Sequence, residues 1–257
     1  MLTVVIPMAG RGSRFADVGY ELPKPLLPVH GAPMIEVVVR NLTPREPSRF
    51  VFICRSEHVE AYGFEPALRD VAPGCEIVTI DRVTEGAACT VMLAEHAVDP
   101  DDVLVIANSD QWVDCDFDAH LDVLHRRQLD GLIMTMTADD PKWSFVELDP
   151  VSDRVTNVVE KEVVSNEATV GIYTFARGGD FFRAARAMIA AGKRVNGEFY
   201  VAPAYNELIA AGAAIGIDNV GAEAAGMYGL GTPNDYEAFL RLPLSYRAAG
   251  QTARRAA

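Results

Sequence analysis

Two stretches of the chain carry residue types able to do chemistry. The first is PMAGRGSRFADVGYELPKPLLPV, residues 7 to 29, which puts two arginines, a lysine and two closely spaced glycines in a loop directly after the apolar run Leu2 to Ile6. Backbone N–H groups from Ala9 to Ser13 are free there to form a concave nest for an anion. Arg14 and Lys24 add fixed positive charge, and Pro23 and Pro25 lock the backbone on either side of the lysine. In a chain of net charge −13, such a local gathering of cations points to a small anionic ligand. Two familiar phosphate loops do not fit. A Walker loop needs Lys and then Ser or Thr after its last glycine, whereas Gly12 is followed by Ser13 and Arg14. A dinucleotide fingerprint needs a third glycine opening a helix. Here that position is Phe15, and Pro23, Pro25 and Pro28 cannot lie inside a helix.

The second stretch is VLVIANSDQWVDCDFD, residues 103 to 118. Val103 to Ala107 is apolar on both faces and reads as a central strand. Asp110 follows its carboxyl end, where open α/β sheets bind their ligands. A carboxylate at that place suits Mg²⁺, a hard ion that takes oxygen ligands and bridges to substrate phosphates. Asp114 and Asp116 offer a rival, the D-x-D pattern with which glycosyltransferases hold a metal and a nucleotide-sugar diphosphate. Asp116 and Asp118 also suit a helix cap or turn. Position favours Asp110, which alone of these acids directly follows the buried strand.

The elements that must position these residues alternate in type. Leu2–Ile6, Phe50–Cys54, Glu76–Ile80 and Val103–Ala107 read as buried strands. Pro33–Leu42, Gly86–His96 and Phe117–Gln128 read as helices, the last capped by Asp116. This alternation predicts an α/β fold with a Rossmann-like, mixed but mostly parallel sheet flanked by helices. Gly131–Thr137, Ser144–Leu148, Arg154–Val159 and Ala168–Phe175 then follow as strands without helices between them, an antiparallel extension or lid. Helices return at Gly179–Ala191, Ala202–Ala211 and Asn234–Leu240. The expected organisation is a single domain over 1–245 with a flexible tail over 246–257.

Composition narrows the field. At 257 residues and 49% hydrophobic, the chain is ample for one buried core. Lys+Arg 23 against Asp+Glu 36 excludes extended binding to a nucleic-acid backbone, which needs a basic face. Cys54, Cys75, Cys89 and Cys115 are widely spaced, which argues against structural zinc or a disulfide framework and for reduced thiols in the cytosol. The N-terminal apolar run stops at Pro7 without a basic segment before it, unlike a signal peptide, and no run approaches a membrane span.

The first loop resembles the signature of the sugar-1-phosphate nucleotidyltransferases, the NDP-sugar pyrophosphorylases, in which a G-x-G-[ST]-R loop is followed by P-K-P. Gly10, Gly12, Ser13, Arg14, Pro23, Lys24 and Pro25 supply it, and the resemblance runs to about Leu240. It implies a glycosyltransferase-A-like nucleotidyltransferase fold and a loop, Ala9 to Ser13, wrapped around an NTP triphosphate. Arg14 and Lys24 would neutralise the departing pyrophosphate with help from Arg11, and Asp110 would hold Mg²⁺. The segment DRVTEGAACTVMLAE resembles the family's base reader, which implies that Glu85 and the Gly86 backbone meet the nucleobase and Asn108 the ribose. VVEKE resembles the family's E-K-P, with Glu162 in place of proline. It assigns Glu160 to sugar hydroxyls and Lys161 to the acceptor phosphate. ATVGIYTF resembles the strand that lines the sugar pocket through Gly171, and NGEFYVAPAYNELI supplies Glu198 and Tyr200.

One position departs from the pattern: the family's second metal-binding aspartate, shortly before a late G-T, is Gly229 here. Substrate oxygens and water, or Asp218 or Asp235, would then complete the metal. The implied activity is transfer of NMP from an NTP to a phosphorylated acceptor, a sugar 1-phosphate first, with release of pyrophosphate. Cytidylyl transfer to a non-sugar phosphate such as phosphocholine or phosphoglutamine, a D-x-D glycosyltransferase and a degenerate nucleotide-sensing module stay open beside it. The implied setting is cytoplasmic nucleotide-sugar production for capsule or polysaccharide, with NTP and acceptor as partners, no nucleic acid, no membrane, and homo-oligomerisation left open.

Overall fold

Alternation along the first strand divides the core in two. In β1 (Leu2–Pro7), Leu2, Val4 and Ile6 pack with Val38, Val39, Phe64, Leu68 and Phe117, while Val5 faces Ala88, Val91, Phe181 and Ala185 on the other side. Helices therefore cover both faces, as a parallel sheet requires. The computed structural model describes residues 1–10 and 12–251. A small hairpin, β2 (Pro28–Val29) and β3 (Ala32–Pro33), precedes β4 (Ser48–Arg55), β5 (Glu76–Ile80), β6 (Val103–Ala107) and β7 (Gln111–Val113). Next come β8 (Gly131–Thr137), β9 (Ser144–Leu148), β10 (Val155–Glu160), β11 (Glu167–Phe175), β12 (Ile215–Glu223) and β13 (Gly226–Gly229).

All but the hairpin join one 11-stranded mixed sheet in the order β5-β4-β1-β6-β11-β8-β12-β13-β7, with β9 pairing β11 and β10. The first four are parallel, and Val4 faces both Phe50 and Val105, which sets the carboxyl ends of β1, β4 and β6 side by side. β11 runs antiparallel to β6 and β8, so the expected antiparallel extension is the second half of the same sheet. The sequence reading missed β7, β12, β13 and the helices Ser56–Tyr62 and Phe64–Val71. It also ran one helix too far: Gly86–His96 is a helix over Ala87–Met92 followed by a 3-10 turn at Glu95–Ala97.

A third apolar cluster joins Phe15, Leu27, Met34, Trp112, Leu230, Tyr236 and Phe239 and braces the loop after β1 against the last helices. Residues 246 to 251, expected as the start of the tail, lie against it. Tyr246 stacks on His30 at 3.6 Å, Arg247 pairs with Asp114 at 2.7 Å, and Ala248 and Ala249 are buried. Small apolar side chains gain more from that contact than from solvent, so the helix Leu244–Ala248 docks. Residues 252–257 lie outside the described residues. Among the described residues, no helix is long and apolar enough to cross a membrane.

Candidate active site

The cation-bearing loop is held at both ends and turned in the middle. The Met8 N–H donates to Ile53 O at 2.9 Å and fastens its start to β4. Gly12 takes a left-handed conformation (φ 62°), after which Ser13–Ala16 make one helical turn. Phe15 is buried and meets Tyr20 and Tyr236 edge-on, at centroid distances of 5.2 and 6.0 Å, which leaves its neighbour Arg14 exposed. Arg11, the predicted helper, lies outside the described residues. Extended Pro23 leads into a 3-10 turn over Lys24–Leu26, with Pro25 buried, so the backbone of Lys24 is fixed on both sides. Its Nζ lies 2.6 Å from Asp110 Oδ2, and each side chain is little more than a fifth exposed.

Asp110 is framed by glycine. The Leu230 N–H donates to Asp110 O at 2.7 Å, and a Cβ at Gly231 would stand 2.6 Å from Asp110 Oδ2. Gly171 has φ 80°, and a Cβ there would fall 2.0 Å from Asn108 Nδ2. That closeness lets the Asn108 N–H donate to Gly171 O at 3.1 Å. Three cavities surround the loop. One of about 380 Å³ is lined by Tyr20, Lys24, His58, Asn108 and Asp110 among others. Another, of about 390 Å³, is lined by Gly12, Ser13, Arg14, Lys24, Asp110, Glu198 and Gly231. A third of about 550 Å³ lies between Ala9–Gly10 and Thr84, Gly86, Thr90 and Glu198.

The segment predicted to read the base is stitched to the segment of Glu198 and Tyr200. The Phe199 N–H donates to Glu85 O at 2.8 Å and the Ala88 N–H donates to Phe199 O at 3.0 Å. Gly86 is required there: φ is 128°, and a Cβ would lie 2.4 Å from Phe199 O. Gly86 lines the 550 Å³ cavity; Glu85 does not, because its carboxylate turns outward to Arg194, which itself lies over the Phe199 ring. The polar side chains on that wall are Thr84 and Thr90, whose hydroxyl oxygens are 2.6 Å apart. The sequence reading missed them. Their signal was Thr90 four residues after Gly86, spaced to hydrogen-bond back to the Gly86 carbonyl.

On the acceptor side four predicted residues come together. Glu160 is buried, accepts a hydrogen bond from Ser144 Oγ and pairs with Lys161 Nζ at 3.3 Å. Lys161 has a left-handed backbone (φ 60°), donates to Lys142 O at 3.0 Å, and sets its ammonium 5.3 Å from the Tyr200 ring centroid. Burial, then Glu198 and Glu160, push the Tyr200 phenol up. Glu198 lines both the 390 and the 550 Å³ cavities, and so links this cluster to Lys24 and Asp110.

The rival acids are engaged elsewhere. Asp114 pairs with Arg247, and Asp116 pairs with Arg45 at 3.0 Å while its side chain accepts the Asp118 N–H as helix cap. Neither lines the three cavities. Of the two substitutes considered for the residue at 229, Asp218 is tied to buried His120 at 2.7 Å. Asp235 Oδ2 lies 4.0 Å from where a Gly229 Cβ would stand, but it accepts from Thr232 Oγ1 as part of a helix cap. Among the described residues, no group of three His, Cys, Asp or Glu side chains is placed to hold a metal ion.

Several solved structures share the fold. The nucleoside-diphosphate-sugar pyrophosphorylase from Vibrio cholerae RC9 is 29% identical with a TM-score of 0.77, over 93% of this chain and 100% of that one. The UDP-glucose pyrophosphorylase from Acinetobacter baumanii is 16% identical at TM-score 0.71, over 96% and 93% of the two chains. The inositol-1-phosphate CTP transferase from T. maritima is 15% identical at TM-score 0.70, over 99% and 97%. Among curated proteins, no sequence match is found. The nucleotidyl transferase family profile matches residues 3–200, from β1 through the Glu198–Tyr200 segment, and the chain therefore belongs to the nucleotidyl transferase family.

Proposed function

We propose that this nucleotidyltransferase transfers NMP from an NTP to a sugar 1-phosphate and releases pyrophosphate. The observation that carries the proposal is the shared cavity of about 390 Å³, where Arg14, Lys24 and Asp110 from the nucleotide side meet Glu198 from the acceptor side. In this reading the amides of Ala9, Gly10, Gly12 and Ser13 cradle the triphosphate, and Gly86, Thr84 and Thr90 face the base. Asn108 positions the ribose, and Gly171 gives it the room to do so. Glu160 and Tyr200 hold the sugar, and Lys161 grips its phosphate. Glu85 acts through its backbone, since its carboxylate is committed to Arg194.

No general base is required. A phosphate monoester has its second pKa near ~6 and is largely a dianion at neutral pH. Its oxygen forms the new bond to the α-phosphorus as the α–β bridging bond breaks, and that electron pair leaves with pyrophosphate. The protein aligns the two and meets the developing charge with Arg14, Lys24 and the loop amides. The donor set fits Mg²⁺: Asp110 and Glu198 carboxylates on one cavity, with substrate phosphate oxygens to complete the sphere. Bound there, Mg²⁺ would supply charge neutralisation at the phosphates. We place the reaction in the cytosol, where NTPs are made and where the free thiols of this chain stay reduced.

Pyrophosphate release, measured for each common NTP against a panel of phosphorylated acceptors, tests the proposal. Turnover with a sugar 1-phosphate is the expected result. Turnover only with phosphocholine or another non-sugar phosphate would transfer the assignment to the cytidylyl reading, which Glu162 and Gly229 favour. Absence of pyrophosphate release with every pair sinks both.

A further inference from the structure

Asp110 is the carboxylate best placed for a cation, yet one of its oxygens is already taken. Lys24 Nζ lies 2.6 Å from Asp110 Oδ2, and the Gly231 backbone closes on the same oxygen, leaving no room for even a Cβ. Lys24 and Asp110 both line the 380 Å³ and the 390 Å³ cavities, so the ion pair stands where the two meet. An ammonium in contact with Asp110 Oδ2 offsets the charge that would attract a divalent ion and repels that ion at short range. Among the described residues, Glu198 is the one other carboxylate on the 390 Å³ cavity and no group of three such ligands exists, so the protein alone offers a divalent ion few ligands.

We propose that Lys24 is the resident counter-ion of the metal site and that a triphosphate displaces it. Taking Mg²⁺ as the metal rests on the function proposed above; the exchange itself is a separate claim. Buried Pro25 and extended Pro23 fix the backbone, so the swing belongs to the flexible four-carbon stem of the lysine. When the anionic triphosphate reaches the loop, the ammonium turns from Asp110 to phosphate and both carboxylate oxygens become available. Free protein therefore binds a divalent ion weakly, and metal and nucleotide each strengthen the binding of the other by the same factor. Lys24 thus has a second role besides meeting the leaving group: it keeps the metal site closed until nucleotide is present.

Mn²⁺ binding to the full chain, read by electron paramagnetic resonance, tests this without turnover. Wild type is expected to bind Mn²⁺ weakly alone, and about tenfold to a hundredfold more tightly with α,β-methylene-CTP or α,β-methylene-UTP, the range for a charge-assisted contact. Lys24→Gln should bind Mn²⁺ alone more tightly than wild type, with a smaller gain from nucleotide. Lys24→Arg should stay masked, and adding Asp110→Asn to Lys24→Gln should abolish the gain. A triphosphate itself chelates Mn²⁺, so the Lys24 variants and not the wild-type gain alone read the exchange. Lys24→Met takes the place of Lys24→Gln if a thermal melt shows that the latter folds poorly. Wild type binding Mn²⁺ equally well with and without nucleotide overturns the exchange, as does a folded Lys24→Gln no tighter than wild type; both leave the proposed transfer intact. Absence of Mn²⁺ binding under every condition overturns the exchange together with the metal assignment.

Discussion

Asp110 and the pair Asp114–Asp116 stand in one short stretch and end in opposite circumstances. Asp110 follows a strand buried in the sheet, borders two cavities and has a loop lysine for its partner. Asp114 and Asp116 lie past the three residues of β7, where Arg247, Arg45 and a helix N-terminus take up their charge. Cys115 between them is half-buried, its thiol pushed up to about 12 by burial first and then by Asp218, Asp114 and Asp116. D-x-D spacing thus builds scaffold here, while position at a strand end puts Asp110 on the cavities of the candidate site. Two acids separated by one residue say little until the structure shows what each one faces.

The sharpest way to break the contrast is to neutralise each acid in turn. Asp110→Asn should lower steady-state turnover by about a thousandfold or more, at the upper range for an electrostatic contact to a transferring phosphoryl group. Should Asp116→Asn abolish activity while Asp110→Asn is tolerated, the D-x-D reading would replace this one. Lys24→Ala tests the partner of Asp110: a loss of roughly 3 kcal/mol of transition-state stabilisation, about a hundredfold, with the fold intact by thermal melt. Near-normal turnover would remove the loop from the mechanism.

Lys161→Met carries the contrast to the acceptor end. There kcat/KM for the acceptor should fall tenfold to a hundredfold, at ~1.5–3 kcal/mol for a charge-assisted contact, while calorimetric NTP affinity holds. A large loss of NTP affinity with the acceptor KM unchanged would move Lys161 to the nucleotide side. Asp114→Asn and Asp116→Asn should leave activity alone and cost at most about 1 kcal/mol of stability, the scale of an exposed ion pair or a helix cap. The smallest effect concerns Cys115. A folded-state pKa raised from 9.0 to about 12 means a stabilising contribution complete below the unfolded thiol value and lost as pH rises from about 9 toward 12. At pH 8 the native thiol should resist iodoacetamide by mass spectrometry, and rapid labelling would show that the D-x-D segment opens.

Much of this was legible in the sequence where the local pattern decides the outcome. The parallel half of the sheet announces itself through short apolar runs that must be buried on both faces, and the Asp116 cap through its place before Phe117. The strand β12 does not, because IGIDNVGAE alternates polar and small residues and is buried only at its start. The helix Ser56–Tyr62 buries no side chain fully, so it leaves no apolar stripe to read. In the site, glycines and charges were visible, but the outward turn of Glu85 depends on Arg194, far along the chain. Gly231 was visible only as a landmark for the acid missing at 229; its closeness to Asp110 Oδ2 is a fact of folding.

The stitch between Phe199 and the Glu85–Ala88 turn has a consequence for how such an enzyme diversifies. Two backbone hydrogen bonds, over a Gly86 that admits no side chain, hold two distant stretches of sequence together as one structural block. A chimaera that imports residues 83–90 from another lineage without residues 198–200 keeps the seam as long as position 86 stays glycine, because main-chain groups alone make it. Under the proposed function, side chains that face the base and side chains that face the acceptor are therefore expected to change independently across the seam, with position 86 held as glycine.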